Sequence, residues 1–156
     1  MNRVLALPSS EAALRLDSQL CFKVYALNNL IGRAYRPLLD EIGLTYSQYL
    51  VMLVLWENSP SSVGELGGRL RLDSGTLTPL LKRLETAGLV ARRRSDADER
   101  RVEIHLTQAG ASLKARAMKI PADLACRIPD AAFRDLQEFH RLSQRLQTLI
   151  DALDGK

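Results

Sequence analysis

The sequence predicts a mainly α-helical chain with a small β-hairpin, an α+β class in which strands are the minor part. Three observations predict it. Apolar residues recur at helical spacing along most of the chain. Two capping boxes and an aspartate N-cap mark abrupt helix starts. One stretch beyond residue 88 alternates apolar and polar residues at the period of a half-buried strand.

At 156 residues the chain fits one domain, 1–156, around a single core. Its 46% hydrophobic and 26% charged residues are ordinary for a globular protein. No apolar run approaches the roughly 20 residues that span a bilayer. The start, Met1-Asn2-Arg3-Val4-Leu5-Ala6-Leu7-Pro8, is too short for a secretory signal. A cytoplasmic chain without a membrane partner is expected. The net charge of +4 is compatible with a nucleic-acid partner but does not decide for one, and its densest run is Arg92-Arg93-Arg94. Cys21 and Cys126 fit neither a CxxC motif nor zinc-ligand spacing. His105 and His140 have no ligand cluster around them, so no metal and no cofactor are expected. No phosphate loop or nucleophile elbow appears, and no enzyme is expected.

The first strong helix is expected from about 17 or 18 to 35, with Leu20, Val24, Leu27 and Ile31 as its stripe. Pro37 stops it and suits the first turn of a short second helix to Ile42, closed by Gly43. Thr45-Tyr46-Ser47-Gln48 is a capping box, and the helix it opens, 46–57, is apolar nearly all round and therefore central. Ser62-Val63-Gly64-Glu65 is a second box, opening a helix to about Leu70. Asp73 caps another, through Thr86, which Gly88 ends. Two strands follow, over 89–94 and 101–106, with the polar 95–100 segment as their tip. Thr107 caps a helix to about Ile120, and Pro129-Asp130 starts the last, to about Leu153. The segment around Cys126, between Pro121 and Pro129, has no clear local pattern, and there is no internal repeat. The last helix carries charges (Arg134, Asp135, Glu138, Arg141, Arg145) on a solvated face. Its stripe of Leu136, Phe139, Leu142, Leu146 and Leu149 is expected to pack on the first helix and across a dimer.

Two short capped helices separated by a few residues and followed by a hairpin make a helix-turn-helix with a wing. In such a unit the second helix enters the DNA major groove by its N-terminal residues. Here these are Ser74, Gly75, Thr76, Thr78 and Pro79, whose hydroxyls and methyls suit base edges or phosphates. Lys82 and Arg83, a turn later, suit phosphate neutralisation. At the wing, Arg94 and Arg100 are candidate DNA contacts, since an arginine there reaches a narrow minor groove. Asp98 is placed to orient such a guanidinium through charge-assisted hydrogen bonds. The plain alternative is a solvated charged turn.

Leu66-Gly67-Gly68-Arg69-Leu70, the run from Leu72 to Glu85, and the wing from Arg92 through Asp98-Glu99-Arg100-Arg101 to Leu106-Thr107 resemble the MarR family of winged-helix regulators. Leu20-Cys21-Phe22, with Tyr35 and Tyr46 downstream, resembles its organic hydroperoxide sensing branch, the OhrR repressors. The resemblance covers about 15–153, and residues 1–14 match nothing. It implies dimerisation helices at 1–44 and 107–156 around a winged helix-turn-helix at 45–106. It also implies a homodimer on double-stranded operator DNA, with organic hydroperoxides as the signal.

A reactive cysteine must spend time as thiolate, which a helix N-terminus favours. Cys21 is expected about one turn into its helix, with the Tyr25 phenol at i+4 on the same face. Tyr35 lies 14 residues further along the same helix, about 21 Å away at ~1.5 Å per residue, and cannot touch the Cys21 of its own chain. The resemblance implies that Tyr35 and Tyr46 hydrogen-bond the partner's thiol. It further implies that Cys126 of the partner captures oxidised Cys21 as a disulfide. The plain alternatives are cysteines buried as small hydrophobes and tyrosines packed with their hydroxyls in water. Three other readings stay open: a regulator released by a small phenolic ligand, a thiol peroxidase using Cys21 and Cys126, and a DNA-organising protein without a signal.

Overall fold

The computed structural model describes residues 10–95, 98, 100–128 and 135–155. A one-turn helix α1 (Ser10–Ala13) and a 3-10 turn (Leu16–Ser18) lead into α2 (Leu20–Asp40) and α3 (Tyr46–Glu57). Then come β1 (Ser61–Ser62), α4 (Val63–Leu70), α5 (Ser74–Thr86), β2 (Val90–Arg94) and β3 (Val102–Leu106). Helices α6 (Gln108–Ala117), α7 (Ile120–Arg127) and α8 (Leu136–Asp154) follow among the described residues.

Local chemistry places most helix starts. Both capping boxes form in full: the Thr45 and Ser62 side chains accept from the Gln48 and Glu65 backbone, and the Gln48 and Glu65 side chains accept in return. Asp73 caps α5 and Thr107 caps α6. Gly43 and Gly88 sit at φ 71°, closing α2 and α5 in the left-handed region that glycine adopts without strain.

The core is built on α3. Val51, Met52 and Leu55 of that helix are fully buried, together with Leu66 of α4, Leu77, Leu81 and Leu84 of α5, Ile104 of β3 and Ile120 of α7. Each such side chain contributes about 1.5–3 kcal/mol relative to exposure.

Five expectations are corrected. Pro37 does not stop the first helix, which runs unbroken to Asp40. A proline inside a helix costs about 3 kcal/mol, and burying Leu38 and Leu39 directly after it offsets that cost. The hairpin is part of a three-stranded antiparallel sheet of order β1-β3-β2, because Ser61 and Ser62 pair with Ile104 and Glu103. The helix from Thr107 ends at Ala117. Pro121 has no N–H to offer the Ala117 carbonyl, and a separate helix α7 starts at Ile120 and carries Cys126. The last described helix starts at Leu136, where the Asp135 carboxylate caps it, rather than at Pro129. Pro129 to Arg134 lie outside the described residues. Finally, the apolar stripe of α8 is not covered within the chain: Leu136 is 70% and Leu149 39% exposed.

The far end of α8 returns to the helix-turn-helix. Arg71, in the turn between α4 and α5, sits at φ 54° and pairs with Asp154 at 2.6 Å and Asp151 at 3.6 Å. No helix among the described residues is long and apolar enough to cross a membrane.

Candidate nucleic-acid interface and thiol site

The start of α5 is set by Asp73. Its Oδ1 accepts the Thr76 backbone N–H at 2.8 Å, and its Oδ2 accepts the Thr76 hydroxyl at 3.0 Å. The backbone and then the side-chain hydrogen bond of Thr76 hold the Asp73 carboxyl below its ordinary range. The Thr76 hydrogen is therefore committed, leaving its oxygen lone pair and methyl for an outside group. Ser74, Thr76, Thr78, Pro79, Lys82 and Arg83 are all exposed on this helix. Pro79 has no N–H for the Gly75 carbonyl, so α5 carries a gap in its hydrogen-bond ladder among these residues.

The wing is braced against this helix by Arg92. Its backbone N–H donates to Glu85 Oε1 at 3.1 Å, and its Nη2 donates to the Thr78 carbonyl at 3.1 Å. Its Nε lies 3.4 Å from Glu85 Oε2 without hydrogen-bond geometry, which leaves a Coulombic contact. Beyond it, Arg93 and Arg94 are exposed. At the tip, Asp98 Oδ1 accepts the Arg100 backbone N–H at 3.0 Å and the Asp98 carbonyl accepts from Arg101 at 2.8 Å. Asp98 thus shapes the turn through the backbone, where a hold on the Arg100 guanidinium was expected. Glu99 lies outside the described residues.

A recess of about 470 Å³ lies between these parts, lined by Gly64 at the start of α4, Thr78, Arg92, Arg100 and Arg101. Arg92, Arg101 and the α4 start were not among the DNA contacts expected from the sequence. The capping box at Ser62 was the signal for the last of these, since uncapped N–H groups of a helix start favour anions.

Cys21 is the second residue of α2, closer to the helix start than expected, and Gln19 gives that start no side-chain cap. Both cysteines are free and exposed in the single chain, so neither belongs to the chain's own core. Tyr25 is 64% exposed. Tyr35 and Tyr46 come together, with ring centroids 4.8 Å apart, and Tyr49 joins them at 5.8 Å from Tyr35. Burial, with the Tyr46 and Tyr49 phenols nearby, pushes the Tyr35 hydroxyl up to about 12. Burial also raises Tyr46 and Tyr49. All three stay protonated at neutral pH and remain hydrogen-bond donors. Tyr49 was absent from the sequence reading, because a helix apolar all round marks no face.

A capped reading helix with an arginine-braced hairpin beside it defines a winged helix-turn-helix protein. The family model for the transcriptional regulators SarA/Rot matches residues 33–117. The chain is 44% identical over 143 residues to the organic hydroperoxide resistance transcriptional regulator of Bacillus subtilis, covering 92% of this chain and 95% of that protein. It is 60% identical over 106 residues to the regulator TtmR of Methylorubrum extorquens, covering 68% of this chain and 54% of TtmR. Among solved structures, AbfR of Staphylococcus epidermidis is similar in two states. The reduced form bound to DNA superposes with a TM-score of 0.76 at 36% identity, over 92% of this chain and 97% of that one. The disulfide form superposes with a TM-score of 0.60 at 38% identity, over 90% and 96%. The chain belongs to the MarR/SarA family of winged-helix transcriptional regulators.

Proposed function

We propose that the chain is a homodimeric repressor that holds operator DNA while reduced and releases it when an organic hydroperoxide oxidises Cys21. One observation carries this reading. An exposed thiol at an uncapped helix start shares α2 with Tyr35, and the half-buried pair that Tyr35 makes with Tyr46 of α3 lies too far along the helix to meet that thiol without an antiparallel second copy. The similarity to a hydroperoxide resistance regulator supports the signal, and AbfR, solved on DNA when reduced and also in a disulfide form, supports the switch.

In this reading the second copy covers the exposed stripes of α2 (Leu20, Val24, Leu27, Leu30) and of α8. Residues 1–44 and 107–156 serve dimerisation and 45–106 read DNA. Ser74, Thr76, Thr78 and Pro79 face bases, Lys82 and Arg83 neutralise phosphate, and Arg94 and Arg100 serve the wing. The Cys21 thiolate attacks the terminal oxygen of the hydroperoxide. An S–O bond forms as the O–O bond breaks, and the alkoxide leaves as alcohol after taking a proton. The partner's Cys126 thiol then attacks that sulfur. The S–S bond forms, the S–O bond breaks, and water leaves. Tyr25 of the same chain, with Tyr35 and Tyr46 of the other, donates hydrogen bonds to the thiolate. The reaction is one oxidation per thiol without turnover, and it suits a cytoplasm that keeps thiols reduced.

The test is duplex binding by the full chain before and after cumene hydroperoxide, with reversal by dithiothreitol. The duplex is one recovered by selection from random DNA. The expected result is release in the parent and retention in Cys21→Ser. Release of Cys21→Ser as readily as the parent overturns the reading. A second reading, release by a small aromatic acid, draws on an apolar cleft of about 420 Å³ beside Leu53, Met118 and Pro121 with Lys114 at its edge. Release by salicylate in Cys21→Ser would favour it.

A further inference from the structure

Helix α3 begins at Tyr46 and ends one residue after Trp56, and an aromatic row runs along it. Tyr49 lies between the tyrosine pair and the indole, with its ring centroid 5.8 Å from Tyr35 and 6.2 Å from Trp56. At the far end, the Trp56 Nε1–H donates to the Gly110 carbonyl at 2.9 Å, in a buried bond between residues 54 positions apart. Lys114 adds a second tie by donating to the Trp56 carbonyl at 3.0 Å.

Gly110 is seated on the wing. A Cβ there would stand 2.0 Å from the Leu89 carbonyl oxygen, so α6 touches the backbone just before β2 with no room for a side chain. Its N–H donates to the Thr107 hydroxyl at 3.0 Å, and that hydroxyl donates to the Gly88 carbonyl at 2.7 Å. The Thr107 N–H reaches the Leu89 carbonyl at 3.1 Å. Leu89 precedes β2 and Thr107 follows β3. The Gly110 carbonyl therefore hangs on the joint from which both wing strands leave.

We propose that Trp56 is a positioning residue, whose indole–Gly110 hydrogen bond passes the state of the Tyr35–Tyr46 pair to the wing. The inference rests on the redox reading above and adds the route by which the thiol site moves the DNA-reading part. Six residues of α3 are buried, namely Tyr49, Val51, Met52, Val54, Leu55 and Trp56. A helix gripped in this way shifts as one rod of about 18 Å at ~1.5 Å per residue, because close-packed interiors rearrange between discrete fits and do not deform smoothly. When the partner's thiol is oxidised and its hydrogen bonds to the phenols are lost, the pair is free to reseat. Tyr49 leans on both Tyr35 and Trp56, so the reseating reaches the indole. The indole either drags Gly110 or lets it go, and the angle between wing and reading helix changes.

The chain holds one tryptophan, so its emission reports this bond directly in the native protein. The experiment follows Trp56 emission, Cys21 oxidation by mass, and binding of the selected duplex during titration of the full chain with cumene hydroperoxide. The inference expects the emission to shift in step with duplex release, and to stay put in Cys21→Ser. It also expects Trp56→Phe, which keeps an apolar ring but has no N–H, to oxidise at Cys21 at the parental rate and to bind the duplex when reduced. In that variant the hydroperoxide-driven loss of affinity should shrink by about tenfold or more, within the usual range of coupling between sites. Release of the oxidised parent with unchanged Trp56 emission overturns the inference while leaving the redox reading intact. Full release of Trp56→Phe does the same. A parent that keeps its duplex with Cys21 oxidised overturns the redox reading and, with it, this route.

Discussion

The rings of Tyr35 and Tyr46 face one another at 4.8 Å, although one sits on α2 and the other opens α3. The Thr45–Gln48 capping box fixes where α3 begins, and therefore where Tyr46 stands. The left-handed Gly43 turns the chain between the two helices. The pairing of two phenols from different helices is thus set by a turn and a cap.

The raised Tyr35 hydroxyl makes stability fall at high pH. Its folded pKa of about 12 stands above the ordinary 10.0 of an unfolded chain, so the folded state holds the proton more tightly. This contribution is fully present below pH 10.0 and is lost as pH rises toward about 12. Urea midpoints measured from pH 9 upward should decline across that window. Tyr35→Phe should decline less steeply, and equal slopes would refute the assignment.

Removing the α5 cap should lower the melting temperature by about 2–4 °C for a chain of this length. Asp73→Ala is expected to show that loss in a thermal melt. Asp73→Asn keeps an oxygen for the Thr76 N–H and should retain most of the stability. A melt of Asp73→Ala that matches the parent would mean that the cap contributes nothing.

Lys82 and Arg83 should contribute charge and little sequence information. In fluorescence anisotropy with the selected duplex, Lys82→Ala should weaken binding to matched and mismatched duplexes alike. It should also reduce the slope of log affinity against log salt by about 1.8, since each of the two copies loses one phosphate contact. Ser74→Ala should instead alter discrimination at one base pair and leave the slope as it was. An unchanged slope for Lys82→Ala would remove that residue from the phosphate contacts.

The uncovered stripes of α2 and α8 should carry the association of two copies. Leu146, 40% exposed in the single chain, is expected to be buried between copies. Leu146→Glu would place a charge there, and sedimentation should show a shift from dimer toward monomer at micromolar concentration. Leu146→Met should remain dimeric. A Leu146→Glu chain that sediments like the parent would move the interface elsewhere.

What was legible in the sequence was local. The boxes at Thr45 and Ser62, the Asp73 cap and the glycines 43 and 88 each act within a turn or two, and each appears where expected. What was illegible was decided at long range. The strand Ser61–Ser62 exists only because Ile104 and Glu103 lie beside it. Pro37 reads locally as a stop and is carried through by the burial of Leu38 and Leu39. Within the site, Cys21 stood out by its chemistry, and Tyr35 and Tyr46 by the resemblance to the hydroperoxide-sensing branch. Tyr49 and Trp56 did not, since Tyr49 is marked by its ring contact with Tyr35 of α2 and Trp56 by its hydrogen bond to Gly110 of α6. Arg92 was hidden among neighbouring arginines, and its contacts with Glu85 and Thr78 of α5 single it out while Arg93 and Arg94 stay exposed.

The pairs from Arg71 to Asp151 and Asp154 have a practical consequence. The residue that turns the chain into the reading helix is fastened, by two exposed carboxylates, to the last described turn of α8. The end of α8 is therefore tied to the reading head. A purification tag or reporter fused behind Lys156 would pull on the turn ahead of α5, whereas the same cargo placed before Met1 would leave that fastening alone.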